Sequence, residues 1–338
     1  MLTCVELFAG AGGLALGLAQ AGFAHRAVVE WNHDACETLR MNHGAEWPLH
    51  ESDVRDLDFS ALADRIDLVA GGPPCQPFSL GGRHQGVDDQ RDMFPAFAEV
   101  VRAVRPRAFL VENVKGLTRP GFAQYFQYIL ARLGCADCVR DDDESWADHA
   151  RRLQAADRSY DVSFQLVNAA DYGVPQSRER VFIVGIRRDL DARWIFPAPT
   201  HKGARRTVGQ ALAGLPDPEF DPVGAARFAH HRFQPGVRFY PGHRGSAWDR
   251  PAKTLKAGDH GVPGGENALV RPDGTGRYFS VREAARLQTF PDDYGFAGGW
   301  GAAMRQLGNA VPVALARTMG ASLARILAPV TVVDCAAG

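Results

Sequence analysis

A cysteine set among glycines and prolines, Gly71-Gly72-Pro73-Pro74-Cys75-Gln76-Pro77-Phe78-Ser79, is the most chemically pointed segment of the chain. An apolar run at 66–70 precedes it and reads as a buried strand. Cys75 therefore falls at a strand's carboxyl end, where proline stiffens the backbone and fixes the direction of the side chain. That is a poor place for core filler, the usual lot of a lone cysteine. It suits a nucleophile, whose active form is the thiolate. Glu112-Asn113-Val114 closes another apolar run, 108–112. If the two runs are adjacent parallel strands, Glu112 stands beside Cys75 and can give a proton to a ring nitrogen. Gln176-Ser177-Arg178-Glu179-Arg180 leads into a third run, 181–186. Arg178 and Arg180 share one side of an extended chain and suit a carbonyl oxygen and a phosphate. Taken alone, that segment reads better as a surface salt-bridge cluster.

A second group of residues points to a cofactor. Phe8-Ala9-Gly10-Ala11-Gly12-Gly13 links an apolar run at 4–8 to a helical pattern at 14–21. Glycines there let a ligand approach the backbone beside a helix N-terminus. The next apolar run, 27–30, ends in Glu30-Trp31. An acid at that point is placed to bind ribose hydroxyls, and Trp31 can stack on an adenine. Asp53 follows a third possible strand and can accept from an adenine amino group. Singly, each reads as a surface acid or a packed aromatic; as an ordered set they point to a nucleoside-containing cofactor.

The elements that must position these residues alternate. Strands are expected at 4–8, 27–30, 66–70, 108–112 and 181–186, and helices at 14–21, 34–42, 93–104 and 122–133. This predicts an α/β fold with a doubly wound, mostly parallel sheet, which binds ligands beyond the carboxyl ends of its strands. After about residue 189 the chain turns rich in Pro, Gly, Arg and His. A smaller, loop-rich domain is expected over 189–280, following a catalytic domain over 1–188. Helices at 281–289 and 312–327, within 281–330, are expected to return to the first domain. The stretch 137–161, with 8 Asp/Glu against 4 Arg, reads as an inserted surface segment.

Charge and cysteine usage narrow the function classes. The 338 residues carry a net charge of −1, 46% hydrophobic and 23% charged residues, ordinary for a soluble globular chain. Residues 187–250 hold 11 Lys/Arg against 6 Asp/Glu, a local excess that suits a polyanion. No uninterrupted run of about 18 apolar residues and no signal-peptide pattern is seen, so no membrane partner is expected. Six cysteines in a chain this long do not make a disulfide framework, and a cytoplasmic setting is expected. Cys135-Ala136-Asp137-Cys138, with His149 nearby, is half a zinc pattern without a second pair. No metal is expected.

The ordered set resembles the DNA cytosine-5 methyltransferase family of bacterial type. The matching segments are ELFAGAGG at 6–13, VVEW at 28–31, SDV at 52–54, GGPPCQPFS at 71–79, VENVKGL at 111–117, PQSRERVF at 175–182, RPAKTL at 250–255 and RQLGNAVP at 305–312. The resemblance spans nearly the whole chain. It implies a Rossmann-like methyltransferase fold and a target-recognition domain over 189–280. It implies S-adenosyl-L-methionine as cofactor, held by Phe8, Gly10, Gly12, Gly13, Leu14, Glu30, Trp31, Asp53, Val54, Pro74 and Asn309. It implies Cys75 as nucleophile, Glu112 at the target ring, Arg180 at the cytosine carbonyl oxygen and Arg178 in support. The implied partner is double-stranded DNA, met by a monomer, with a cognate restriction endonuclease as a functional companion. The loop after Cys75, through Gly81, Gly82 and Gly86, has the composition of a lid. Two departures stand out: Met93 replaces the usual leucine, and the acidic insertion is longer than usual. Two rivals remain. One is a tRNA methyltransferase of the same family, whose Cys-Phe-Thr mark is missing because 189–280 contains no cysteine. The other is a non-catalytic DNA-binding relative, which would be expected to lose Cys75, Glu112 or the glycines.

Overall fold

The computed structural model describes residues 1–74, 92–239, 244–258 and 265–328. Cys75 and the expected lid through Gly81, Gly82 and Gly86 lie outside the described residues.

The first half builds one sheet from β1 (Leu2–Leu7), β2 (Phe23–Glu30), β3 (Leu49–Glu51), β4 (Leu68–Gly71), β5 (Ala108–Val114), β6 (Tyr160–Asn168) and β7 (Glu179–Arg187). Their order is β3-β2-β1-β4-β5-β7-β6, parallel from β3 to β5 and antiparallel across β7 and β6. Helices α1 (Gly13–Gln20), α2 (His33–His43), α3 (Phe94–Val104), α4 (Ala123–Gly134) and α5 (Trp146–Ala155) connect them.

Both sheet faces are buried, and the strand residues alternate between them. Val69, Phe109, Val111, Val181 and Ile183 pack with α3 and α4. Leu68, Ala70, Ala108, Leu110, Phe182 and Val184 pack on the other face with Leu14 and Leu18 of α1 and with α10 (Val313–Leu327). That two-sided cover is the doubly wound arrangement. The α1–α10 contact depends on small residues. A Cβ on Gly17 would stand 2.4 Å from the Ala316 Cβ, and one on Gly13 2.2 Å from the Val311 carbonyl oxygen.

The second half holds α6 (Val208–Leu212), α7 (Pro222–Ala225), a small sheet of β8 (Ser246–Ala247), β9 (Ala268–Val270) and β10 (Gly276–Tyr278), then α8 (Val281–Leu287) and α9 (Trp300–Asn309). Its core joins Val208, Leu212, Leu269, Phe279, Leu287, Met304 and Leu307 with Ala11 of the glycine turn and Val313 of α10. Buried arginines act as braces: Arg277 pairs with Glu283 through two contacts of 2.7 Å. Arg282 donates to the carbonyls of Ala229, Pro291 and Tyr294. The stretch Trp300–Leu327 is long and apolar enough to cross a membrane, but most of its apolar window is buried in the core. It is split between α9 and α10, with Pro312 preceding α10.

The stretch 137–161 is largely exposed, yet it is anchored to the core through α5 and the start of β6. Ser145 caps α5, accepting from Asp148 N at 3.1 Å. His149, Leu153 and Tyr160 are buried. His149 donates from Nε2 to the Cys138 carbonyl at 2.8 Å, and its Nδ1 lies 2.9 Å from the Tyr128 hydroxyl. Asp148 lies on the exposed side of α5, and the other acids of the stretch fall before it, after it and at the start of β6. Among the described residues no group of His, Cys, Asp and Glu forms a metal site.

Candidate active site

The carboxyl ends of β4 and β5 meet as the sequence requires. The strands pair in parallel with Gly71 opposite Val111, so Glu112 comes beside Gly72. A Cβ on Gly72 would lie 3.4 Å from Glu112 Oε2, so the bare glycine leaves room for the carboxyl group. Asn113 donates from Nδ2 to the Pro73 carbonyl at 3.0 Å and is buried. That bond ties the end of β5 to the proline segment entering Cys75. Sequence reasoning passed over Asn113, although it stands inside the Glu-Asn-Val segment.

Arg180 comes from the neighbouring antiparallel strand β7, opposite Val114. Its Nε lies 3.0 Å from Glu112 Oε1, with both side chains largely buried. The contact is an ion pair without hydrogen-bond alignment, and Oε1 has no hydrogen-bond donor. Burial raises the Glu112 pKa, and Arg180 and then Arg178 pull it back. Burial lowers the pKa of Arg180, opposed by Glu112. The result is a carboxyl group that holds its proton more readily than an exposed one, next to a cation.

Arg178 serves differently from the same-side pair that alternation suggests. Fully buried, it precedes β7 and donates to the carbonyls of Leu255, Gly308 and Ala310 at 3.4, 2.8 and 3.0 Å. The 250–255 segment is fastened beside it: Ser177 N donates to Ala252 O at 2.8 Å and Ala252 N to Pro175 O at 2.9 Å. Arg178 thus ties three distant segments together behind Arg180.

Further along the same carboxyl edge of the sheet, at the end of β2, the Glu30 carboxylate gathers the cofactor candidates. Oε2 accepts from Gly10 N at 2.7 Å, and Oε1 from Trp31 N at 2.9 Å and Asn32 N at 2.8 Å. A carboxylate offers about four lone-pair sites, so three backbone donors leave one for a ligand hydroxyl. Trp31 is 71% exposed, an open ring at the end of β2. Asp53 is engaged by Arg55 through three contacts of 2.6–3.0 Å, and Val54 is buried beneath it.

The glycines divide by task. Phe8, Gly10 and Gly12 all have positive φ, and space opens beside Gly10, where a Cβ would meet nothing within 4 Å. Gly12 faces Leu39 and the Tyr294 hydroxyl, and Gly13 faces Val311. These two permit close packing of the turn. Tyr294 donates to the Ala11 carbonyl at 2.7 Å, a brace from the second half that no spacing in the sequence announced. Leu14 is buried beneath the turn, Pro74 is half-buried at the edge of the described segment, and Asn309 is exposed at the end of α9.

Comparisons with known proteins assign the family and the fold. The family model for C-5 cytosine-specific DNA methylases matches residues 2–137, 140–221 and 238–325. The Type II methyltransferase M.NgoMIV of Neisseria gonorrhoeae is 34% identical, covering 96% of this chain and 98% of its own. M.PspPI of a Psychrobacter strain, also a Type II methyltransferase, is 34% identical over 96% of this chain and 79% of its own. In fold, the chain superposes on a putative DNA modification methyltransferase from an Escherichia coli prophage with a TM-score of 0.72 at 24% identity, covering 97% of this chain and 99% of the other. It superposes on the Schizosaccharomyces pombe Dnmt2 methyltransferase with a TM-score of 0.63 at 20% identity, covering 96% and 99%. Matched along nearly its whole length, the chain belongs to the C-5 cytosine-specific DNA methylase family and is a DNA cytosine-5 methyltransferase.

Proposed function

We propose that the protein transfers a methyl group from S-adenosylmethionine to C5 of a flipped-out cytosine in a specific duplex sequence, through a covalent bond between Cys75 and C6. The buried Glu112–Arg180 pair carries this reading. Cytosine C5 is a poor nucleophile. Addition of the Cys75 thiolate at C6 turns the ring into an enamine, with Glu112 giving a proton to N3 and Arg180 bonding the carbonyl oxygen. C5 then accepts the methyl group that S-adenosylmethionine supplies as a sulfonium. Water takes the C5 proton, Cys75 leaves as the thiolate, and the N3 proton returns to Glu112, which restores the aromatic ring. The base must leave the stack for this chemistry. Glu30, Trp31 and Asp53 suit the ribose and adenine of the cofactor, and the open side of Gly10 suits close approach to backbone. The 189–280 segment is the proposed target-recognition domain, and a restriction endonuclease of the same specificity is the proposed functional companion.

The reading is tested by methylating a mixed pool of duplex DNA with purified protein and S-adenosylmethionine, then sequencing after bisulfite treatment. One short sequence should be protected at one cytosine. Glu112→Gln should lower kcat by about 10²–10⁴-fold, the usual worth of a positioned acid. Methylation of tRNA in place of DNA would replace the duplex reading.

A further inference from the structure

At the opposite end of the sheet from Glu112 lies a cavity of about 290 Å³. Arg180 and Arg187 bracket the distance: both stand on β7, seven residues and so roughly 23 Å apart. Five arginines line the cavity, Arg102 and Arg105 at the end of α3, Arg158 before β6, and Arg187 and Arg188 where β7 ends. They converge from three separate stretches of chain.

The acids nearby do not use up these donors. Asp137 and Asp189 are the acidic residues in the lining. Asp137 accepts from the Ser159 hydroxyl at 2.7 Å, while Arg187 is taken up by Asp189 at 2.8 Å, Asp64 at 3.2 Å and the Arg105 carbonyl at 2.5 Å. Arg105 and Arg188 each have a carboxylate only at 3.5 Å, Asp64 and Asp161. Arg102 is tied through Nε to Glu99 at 2.9 Å. Arg158 is exposed and has no acidic partner among the described residues. A guanidinium carries five N–H donors in a planar fork, so unused donors outnumber the acceptors the protein brings. An oxyanion with several acceptor oxygens answers that surplus, and phosphate matches the fork bidentately. The volume stands at the lower edge of the roughly 300–1,000 Å³ typical of small-molecule sites.

We propose that this cavity binds a phosphate group, either free orthophosphate or the phosphoryl end of a mononucleotide. The site is separate from the methyl-transfer centre and does not depend on the mechanism given for it.

Calorimetric titration of the full chain with inorganic phosphate and with AMP, at constant ionic strength in chloride, tests the proposal. The wild type is compared with Arg158→Ala, with Arg158→Ala/Arg188→Ala and with Arg158→Lys. Saturable binding that weakens about tenfold or more in the double variant supports it, a size in line with losing charged hydrogen bonds. Unchanged unfolding temperatures show that the variants fold, and partial recovery in Arg158→Lys adds to the support. Tighter binding of AMP assigns a nucleotide; equal affinities assign the free ion. Equal binding by wild type and double variant overturns the proposal, as does the absence of saturable binding to either ligand. A duplex DNA whose affinity falls in the double variant while neither small ligand saturates also counts against it, replacing the pocket with a DNA-backbone contact.

Discussion

Glu112 and Glu30 are two carboxyl groups at strand ends, and their surroundings give them opposite duties. Glu112 has one arginine ion pair and an oxygen without a donor, in a buried setting that favours its protonated form. Glu30 accepts three backbone N–H bonds and fixes Gly10 and Trp31. Glu30→Ala is therefore expected to weaken S-adenosylmethionine binding by about 1–3 kcal/mol, read by calorimetry, with a smaller change for DNA. Unchanged cofactor affinity would remove Glu30 from the pocket. A third titratable residue bears on stability. His43 stacks on Trp47 with ring centroids 3.5 Å apart, and burial, with His25 nearby, holds its pKa down to about 4 from 6.5. Between those values the unfolded chain binds the proton more readily than the folded one. The contribution is fully present above about pH 6.5 and falls as pH drops toward 4, by about 1–3 kcal/mol. His43→Phe, which keeps the stack, should flatten that part of the stability–pH curve in urea titrations. A curve of the same slope in the variant would assign the acid sensitivity to other groups.

At the scale of elements, sequence periodicity located most of the sheet. The strands expected at 4–8, 108–112 and 181–186 appear within a few residues as β1, β5 and β7, because each is a mostly apolar run buried in the sheet. β6 was hidden: its Phe164 and Leu166 are 45% and 38% exposed on an edge, and acids crowd its start. α9 was also missed, since Gly and Ala blur its apolar stripe over Trp300–Asn309. The Glu112–Arg180 pair was only half legible. Each residue stood out in its segment, but their contact needs β7 to run antiparallel beside β5, which no local pattern states. Arg178 looked like a partner of Arg180 because alternation treats it as strand, whereas it precedes β7 and turns to three carbonyls. The close approach of α1 and α10 yields its own test. Gly17→Leu should cost about 1–3 kcal/mol through overpacking, seen as a lower urea midpoint. An unchanged midpoint would mean that the helices part without penalty.

Taken whole, the molecule is held together across its length by contacts that end at the proposed methyl-transfer site. Tyr294 from the second half braces Ala11 in the glycine turn, and Arg178 binds the carbonyls of residues 255, 308 and 310 behind Arg180. The central claim is that Cys75 adds to C6 and leaves only when the C5 proton departs. Fluorine at C5 cannot leave as a cation, so duplex DNA bearing 5-fluorocytosine at the target should capture the protein after methyl transfer. The account predicts an adduct that survives denaturing electrophoresis, needs both S-adenosylmethionine and the correct site, and vanishes in Cys75→Ser, because a serine hydroxyl is far less ionised than a thiol at neutral pH. Replacement of Cys4, Cys36, Cys135, Cys138 or Cys335 should leave it intact. An adduct that persists in Cys75→Ser, or that maps to another cysteine, would contradict the account.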